Sequence, residues 1–292
     1  MTNSAVPSGI LATGADPDDA QRGPVPGPPP PPLPDPAPDR PDPLPEPARI
    51  PVSTLASVVS DGWRDFRRAP AFGLLFSAFY VAGGLVLAAV AFASGQEWWL
   101  MPFILGFPLI APFAAVGLYE VSRRIEAGEP LDWARIIRVV VSQKDRQLPS
   151  MAMVILLLFM FWVFVAHTIF ALFMGVSALT NITSSGALLL EGRGLVMLIV
   201  GTLIGGGFAA VLFSFTVVGI PLLLDREVDF ITAIITSVRA VMLNLPVMAA
   251  WAAIIAGGLF MGILPFFLGL FVALPVLGHA SWHMYRRLMP DE

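Results

Sequence analysis

Five stretches of the chain run without a single Asp, Glu, Lys or Arg: residues 71–93, 100–119, 151–190, 194–224 and 246–285. Each supplies the roughly 20 uncharged residues that a helix needs to cross about 30 Å of hydrocarbon. The last stretch, drawn as one helix at 1.5 Å per residue, would be about 60 Å long, twice the bilayer. It is therefore expected to fold back near GILPF, residues 262–266, where glycine and proline interrupt a helix. The pattern predicts an all-α, polytopic membrane protein with six transmembrane helices in three hairpins.

Between the uncharged runs the polar positions return with a helical period. The segments VSTLASVVSDGWRDFRRAP (52–70), LDWARIIRVVVSQKDRQLP (131–149) and VDFITAIITSVRAVMLNLP (228–246) each open on an apolar residue and reach proline eighteen positions later. In the second, Asp132, Arg135, Arg138, Ser142 and Asp145 recur at spacings of three and four, with Ile136, Ile137, Val140 and Val141 on other faces. In the third, Asp229, Thr232, Thr236 and Arg239 do likewise. Each segment reads as a cytoplasmic amphipathic helix lying on the membrane surface. Its proline falls in the first turn of the next crossing, where the missing N–H costs nothing. A second echo joins PFAAVGLYEVSRR (112–124) to PVLGHASWHMYRR (275–287), and the pattern is degraded around VVGIPLLLDREVD. Together these suggest three duplicated units, about 52–124, 131–227 and 228–287.

Charge gives the picture a direction. Alternating the loops places sixteen of the seventeen Lys and Arg residues on one side and only Arg193 on the other. The positive-inside rule then puts both termini in the cytoplasm. Five crossings would strand Arg286 and Arg287 outside, so the count supports the fold-back. Trp98 and Trp99 would mark the outer interface, and Trp63, Trp133 and Trp282 the inner one.

Composition agrees: 56% of the 292 residues are hydrophobic, 13% are charged, and mean hydropathy is +0.77. The net charge of -4 lies in the first fifty residues, with seven acids against three bases. That segment also holds sixteen prolines and is expected to be a disordered, polyproline-like cytoplasmic tail, a spacer rather than a ligand. Residues 51–290 form the membrane domain. No basic start followed by an apolar core is present, so no cleavable signal peptide is expected. The absence of cysteine removes disulfides, thiolate nucleophiles and iron–sulfur clusters.

Candidate chemistry is sparse. His279 and His283 stand four apart, one helical turn, and two such imidazoles can grip a metal or a haem. The competing reading places them in the last turns of a helix entering the headgroups, among water, lipid phosphate and terminal carbonyls. His167, within FVFVAHTIFALF, reads as a polar helix contact or proton-sensitive group inside the membrane. No metal or cofactor is assigned. No carboxylate or base falls within a crossing, which disfavours an ion-coupled transporter. Phosphate-loop, zincin and nucleophile-elbow patterns are missing, so the chain is not expected to be an enzyme. The surface acids Glu120, Glu126, Glu129, Asp132, Asp225, Glu227 and Asp229 read as caps and solvating groups for helix starts. The four-residue glycine spacings at Gly201/Gly205 and Gly258/Gly262 read as internal packing contacts.

The segments LGHASWHMYRR, GIPLLLDREVDFITAIITSVRAVMLNLP and DGWRDFRRAP resemble an uncharacterised family of bacterial integral membrane proteins, domain-of-unknown-function family 2189. The resemblance extends over about residues 51–290 and implies a membrane fold but no activity. Some members of that family bear an oxidase large-subunit label. A haem–copper centre of that kind needs six histidine ligands, and this chain has three histidines. The expected role is a non-catalytic scaffold, assembly or envelope-homeostasis factor. The alternatives are a channel-like permease lined by groups such as Thr202, Ser214 and Thr216, or an interfacial lipid enzyme or metal protein. Expected partners are the lipid bilayer and other membrane proteins, with no nucleic acid.

Overall fold

The computed structural model describes residues 44–94, 101–175, 192–265 and 267–290. The chain divides into two units, 1–44 and 45–292, and every described helix belongs to the second. Most of the proline-rich tail, Trp98, Trp99 and residues 176–191 lie outside the described residues.

Among the described residues there are ten α-helices and no strand. They are α1 (Thr54–Arg68), α2 (Pro70–Ser94), α3 (Met101–Glu126), α4 (Trp133–Ser142), α5 (Leu148–Met174), α6 (Gly192–Thr216), α7 (Gly219–Asp225), α8 (Phe230–Leu243), α9 (Leu245–Ile263) and α10 (Leu270–Leu288). The sequence explains their limits. Pro70 opens α2, and a proline stands in the first turn of α5 and of α9, where a missing N–H is harmless. Asp132 and Asp229 cap α4 and α8 by accepting the backbone N–H groups of Arg135 and Thr232 at 2.8 and 2.9 Å. The Thr232 hydroxyl adds a second bond to Asp229, and these bonds hold that carboxyl below its usual range.

Among the described residues three helices are long and apolar enough to cross a bilayer: α5, the continuous run Gly192–Asp225 that contains α6 and α7, and α9, with mean hydropathies of 2.5, 2.4 and 1.9. A fourth follows if α1 and α2, bent by 97° at their junction, are taken as one broken span. The anticipated set of six is thus only partly met. α10 falls short because its second half, His279 to Arg287, is largely polar.

The helices pair antiparallel where their contacts define a direction. Trp162 of α5 lies on Gly205 of α6, and the Phe161 and Trp162 rings meet Phe208. α10 runs back along α9: Gly262 meets Leu270 and Ala273, and Gly258 meets Leu277. The fold-back predicted at 262–266 is therefore present. Gly205, Gly258 and Gly262 serve close packing as expected, whereas a side chain at Gly201 would meet open space.

The first helix packs against the last. A methyl group at Gly62 of α1 would stand 2.6 Å from the backbone of Val276 and Ala280, so only glycine admits this approach. The core continues through Ala69, Phe72, Phe76, Ala114, Leu118, Val121 and Ile136 of α1–α4. Trp133 stacks on Phe72 at 3.7 Å and is partly exposed, as is Trp63. Trp282 differs from the expected interfacial belt: it is 1% exposed, drawn into the bundle by its neighbours.

Candidate functional site

α10 brings a polar residue to three different neighbours within two turns. His283 faces α1, His279 and Trp282 face α3, and Tyr285 faces the end of α7. The four-residue spacing of His279 and His283 sets both imidazoles on one side of α10, as a period of 3.6 requires.

Both histidines converge on one buried cluster. His283 Nε2 donates to Asp65 Oδ2 at 2.7 Å, and Ser122 Oγ donates to the same oxygen at 2.9 Å. Ser122 Oγ also lies 2.8 Å from His279 Nδ1. The proton order follows from counting hydrogens. An ionised carboxylate only accepts, and a serine hydroxyl has one proton. With the hydroxyl proton directed at Asp65, His279 Nδ1–H must donate to Ser122 Oγ. The chain of donors thus runs from His279 through Ser122 to Asp65, with His283 donating from the other side. His279 Nε2 is buried without a hydrogen-bond partner.

Burial alone would push the Asp65 carboxyl up. The hydrogen bond and charge of His283, the Ser122 hydroxyl and the nearby His279 together outweigh that and hold it below its usual value. Asp65 is 2% exposed, His279 and Ser122 are fully buried, and His283 keeps a 15% opening to the outside. The cluster ties α1, α3 and α10 together. A proton entering at His283 would reach a closed end at His279, and the Ser122 hydroxyl is committed on both sides and shielded from any substrate.

The histidines therefore do not sit among lipid phosphates, as the sequence suggested. α1 lies against α10 through Gly62 and offers Asp65, so the imidazoles turn inward. His167 takes no part: its Nδ1 bonds the Val163 carbonyl of its own helix at 2.7 Å, on an exposed face. Among the described residues no group of three or more His, Cys, Asp or Glu is placed to hold a metal ion.

Sequence reasoning missed Asp65 and Ser122. Asp65 stands in WRDFRR among arginines, where an acid looks like surface charge, and Ser122 opens SRR at the end of a helix. The acids assigned to solvation are also more committed than expected. Glu120 is fully buried and accepts from Arg123 at 2.7 and 3.0 Å and from Arg124 at 2.6 Å. Glu126 accepts from Trp282 Nε1 at 3.0 Å and Arg286 at 3.1 Å, and Tyr285 donates to Asp225 at 2.7 Å.

A chain whose described residues form helices and no strand, with long apolar helices and with its buried charges on α1 and the end of α3, is an integral membrane protein built to sit in a lipid bilayer. A family model described as "Predicted integral membrane protein (DUF2189)" matches residues 100–225, from the start of α3 to the end of α7. This is the family that the sequence motifs resemble, over a shorter stretch than the 51–290 anticipated and under half of the chain. The matched stretch contains Ser122, Glu120, Glu126 and Asp225, while Asp65, His279 and His283 lie outside it. No curated protein and no solved structure matches the chain.

Proposed function

We propose that this chain is a non-catalytic, multi-pass protein of the bacterial inner membrane that acts as a scaffold, assembly or envelope-homeostasis factor through lateral contacts with other membrane proteins. In this reading α2, α3, α5, α6, α9 and α10 are six crossings in three hairpins. α1, α4 and α8 stay on the cytoplasmic side with both termini.

The observation that supports it most is the inward commitment of the polar groups. Asp65, Glu120, Ser122 and His279 spend their hydrogen bonds on neighbouring residues of the same bundle. An enzyme or carrier keeps such groups facing a substrate. Two of the three hydroxyls proposed to line a permease path are also occupied. Ser214 donates to the Ala210 carbonyl at 2.7 Å and Thr216 to the Leu212 carbonyl at 2.8 Å, both on their own helix.

The apolar surface of α5 and α6 is the natural place to look for lateral contacts: Phe164 is 66% exposed and Leu203 72%. A photo-crosslinking residue at either position, in the full chain in its native membrane, is expected to yield discrete adducts with one or a few membrane proteins. Lipid adducts alone would remove the scaffold reading, and solute flux in reconstituted vesicles would replace it with the permease. A reporter fused after Glu292 is expected on the cytoplasmic side, and a periplasmic reporter would exclude the six-crossing arrangement.

A further inference from the structure

Two cavities lie in succession along the same three segments, α3, the α6–α7 run and α10. At the charged helix ends a cavity of about 400 Å³ is lined by Arg123, Glu126, Asp225, Arg226, Trp282 and Arg286. Deeper in the bundle a mainly apolar cavity of about 240 Å³ is lined by residues including Tyr119, Phe213, Ile220, Ile255, Leu274 and Leu277. Tyr119 precedes Arg123 by four residues and Ile220 precedes Asp225 by five. At 1.5 Å per residue the two levels are about 6–8 Å apart along the helices.

The chemistry of the two levels is different and ordered. The outer one offers three guanidiniums, two carboxylates and an indole. Guanidinium is the planar donor best matched to phosphate oxygens. Arg123 is already oriented by its two bonds to Glu120, and Arg286 by its bond to Glu126. Both remain partly open, at 34% and 24% side-chain exposure. A free phosphate dianion would meet the Glu126 and Asp225 carboxylates as like charges. A phosphodiester that carries its own ammonium group would meet both signs with its opposite. The inner level has the apolar walls that an acyl chain requires.

We propose that α3, α7 and α10 form a site for one zwitterionic, ammonium-bearing phospholipid of the phosphatidylethanolamine class. Its phosphate lies against Arg123, Arg226 and Arg286, its ammonium against Glu126 and Asp225, and the start of an acyl chain in the deeper cavity. Glu126 already holds Trp282 and Arg286, and Asp225 holds Tyr285 and Arg286; both still line the cleft, where an ammonium group would meet them. The placement requires only that the chain sits in a bilayer and is independent of the scaffold role.

Native mass spectrometry of the purified, delipidated full chain tests this, with dioleoyl phosphatidylethanolamine, phosphatidylglycerol, phosphatidylcholine and inorganic phosphate as probes. Phosphatidylethanolamine is expected to bind saturably at one site, about tenfold tighter than phosphatidylglycerol. Phosphatidylcholine is expected to be weaker, because its trimethylated nitrogen cannot donate a hydrogen bond. Glu126→Gln, at a 39% exposed side chain, is expected to erase the preference for ethanolamine over glycerol. Ile255→Trp fills the deeper cavity and is expected to weaken the diacyl lipid without weakening glycerophosphoethanolamine. Should either variant fail to fold, competition on the unaltered chain decides: glycerophosphoethanolamine displaces the bound lipid and inorganic phosphate does not. Equal binding of glycerol and ethanolamine lipids, or displacement by inorganic phosphate, overturns the proposal.

Discussion

His283 and Asp65 stand 218 positions apart in the chain and meet at 2.7 Å in the bundle. The carboxylate also accepts from Ser122, so one acceptor on α1 holds donors from α3 and α10. Removing a buried acceptor leaves the donors that it held unpaired, at a cost of about 1–3 kcal/mol each. Asp65→Ala should therefore be among the most destabilising single changes at this end of the molecule. His283→Gln should cost less, since an amide N–H₂ still donates. Chemical unfolding in detergent, followed by circular dichroism, measures both, and equal losses would mean that the carboxylate is not the shared anchor.

The same carboxyl sets a pH dependence. In the folded protein Asp65 sits below its ordinary value of 3.8, so the folded state takes up the proton less readily than the unfolded chain. Its contribution is complete above the unfolded value, and it is lost as the pH falls through the lower folded one. The thermal midpoints of the parent and Asp65→Asn should differ most above about pH 5 and draw together below about pH 4. A gap that widens on acidification would contradict the ionised, hydrogen-bonded carboxylate.

Gly62 tests the approach of α1 to α10. A methyl group there would stand 2.6 Å from two backbone atoms, which cannot swing aside as a flexible side chain does. Overpacking of this kind typically costs about 1–3 kcal/mol. Gly206→Ala makes the control, because nothing lies within 4 Å of the added atom. Gly62→Ala should lower the unfolding midpoint clearly, whereas Gly206→Ala should leave it unchanged or raise it slightly, by relieving helical glycine.

Asn244 holds the entry segment in place. Its Oδ1 accepts from the Ile50 N–H at 2.9 Å, and its Nδ2 donates to the Ala48 carbonyl at 2.9 Å and to Ala240 at 3.1 Å. The Ala48 N–H in turn donates to the Leu288 carbonyl at 2.8 Å. Asn244→Ala strands these backbone groups, each worth about 1–3 kcal/mol if left unpaired. Proteolysis and amide exchange over residues 45–53 should accelerate, with little change in α5 and α6. Protection unchanged at Ile50 would show that the asparagine is not what holds the segment.

Much of the architecture was legible from local order. Uncharged runs marked the long helices, prolines at 70, 149 and 246 marked their starts, and Asp132 and Asp229 announced caps. The fold-back between α9 and α10 followed from length alone. The histidine pair was also visible, but with the wrong surroundings. Asp65 among arginines gives no local sign of burial, and Trp282 has the look of an interfacial residue.

What the amino-acid order determined by itself is therefore membrane character, helix positions and several of their ends, because periodicity, capping and helix breaking act over four residues or fewer. Only the tertiary structure decided that Gly62 brings α1 against α10, that Asp65 draws both imidazoles inward, and that Asn244 clasps Ile50. Those pairings depend on which faces of distant helices meet. Close packing of large apolar surfaces selects those faces, and the polar groups then take whatever partners that packing brings within reach.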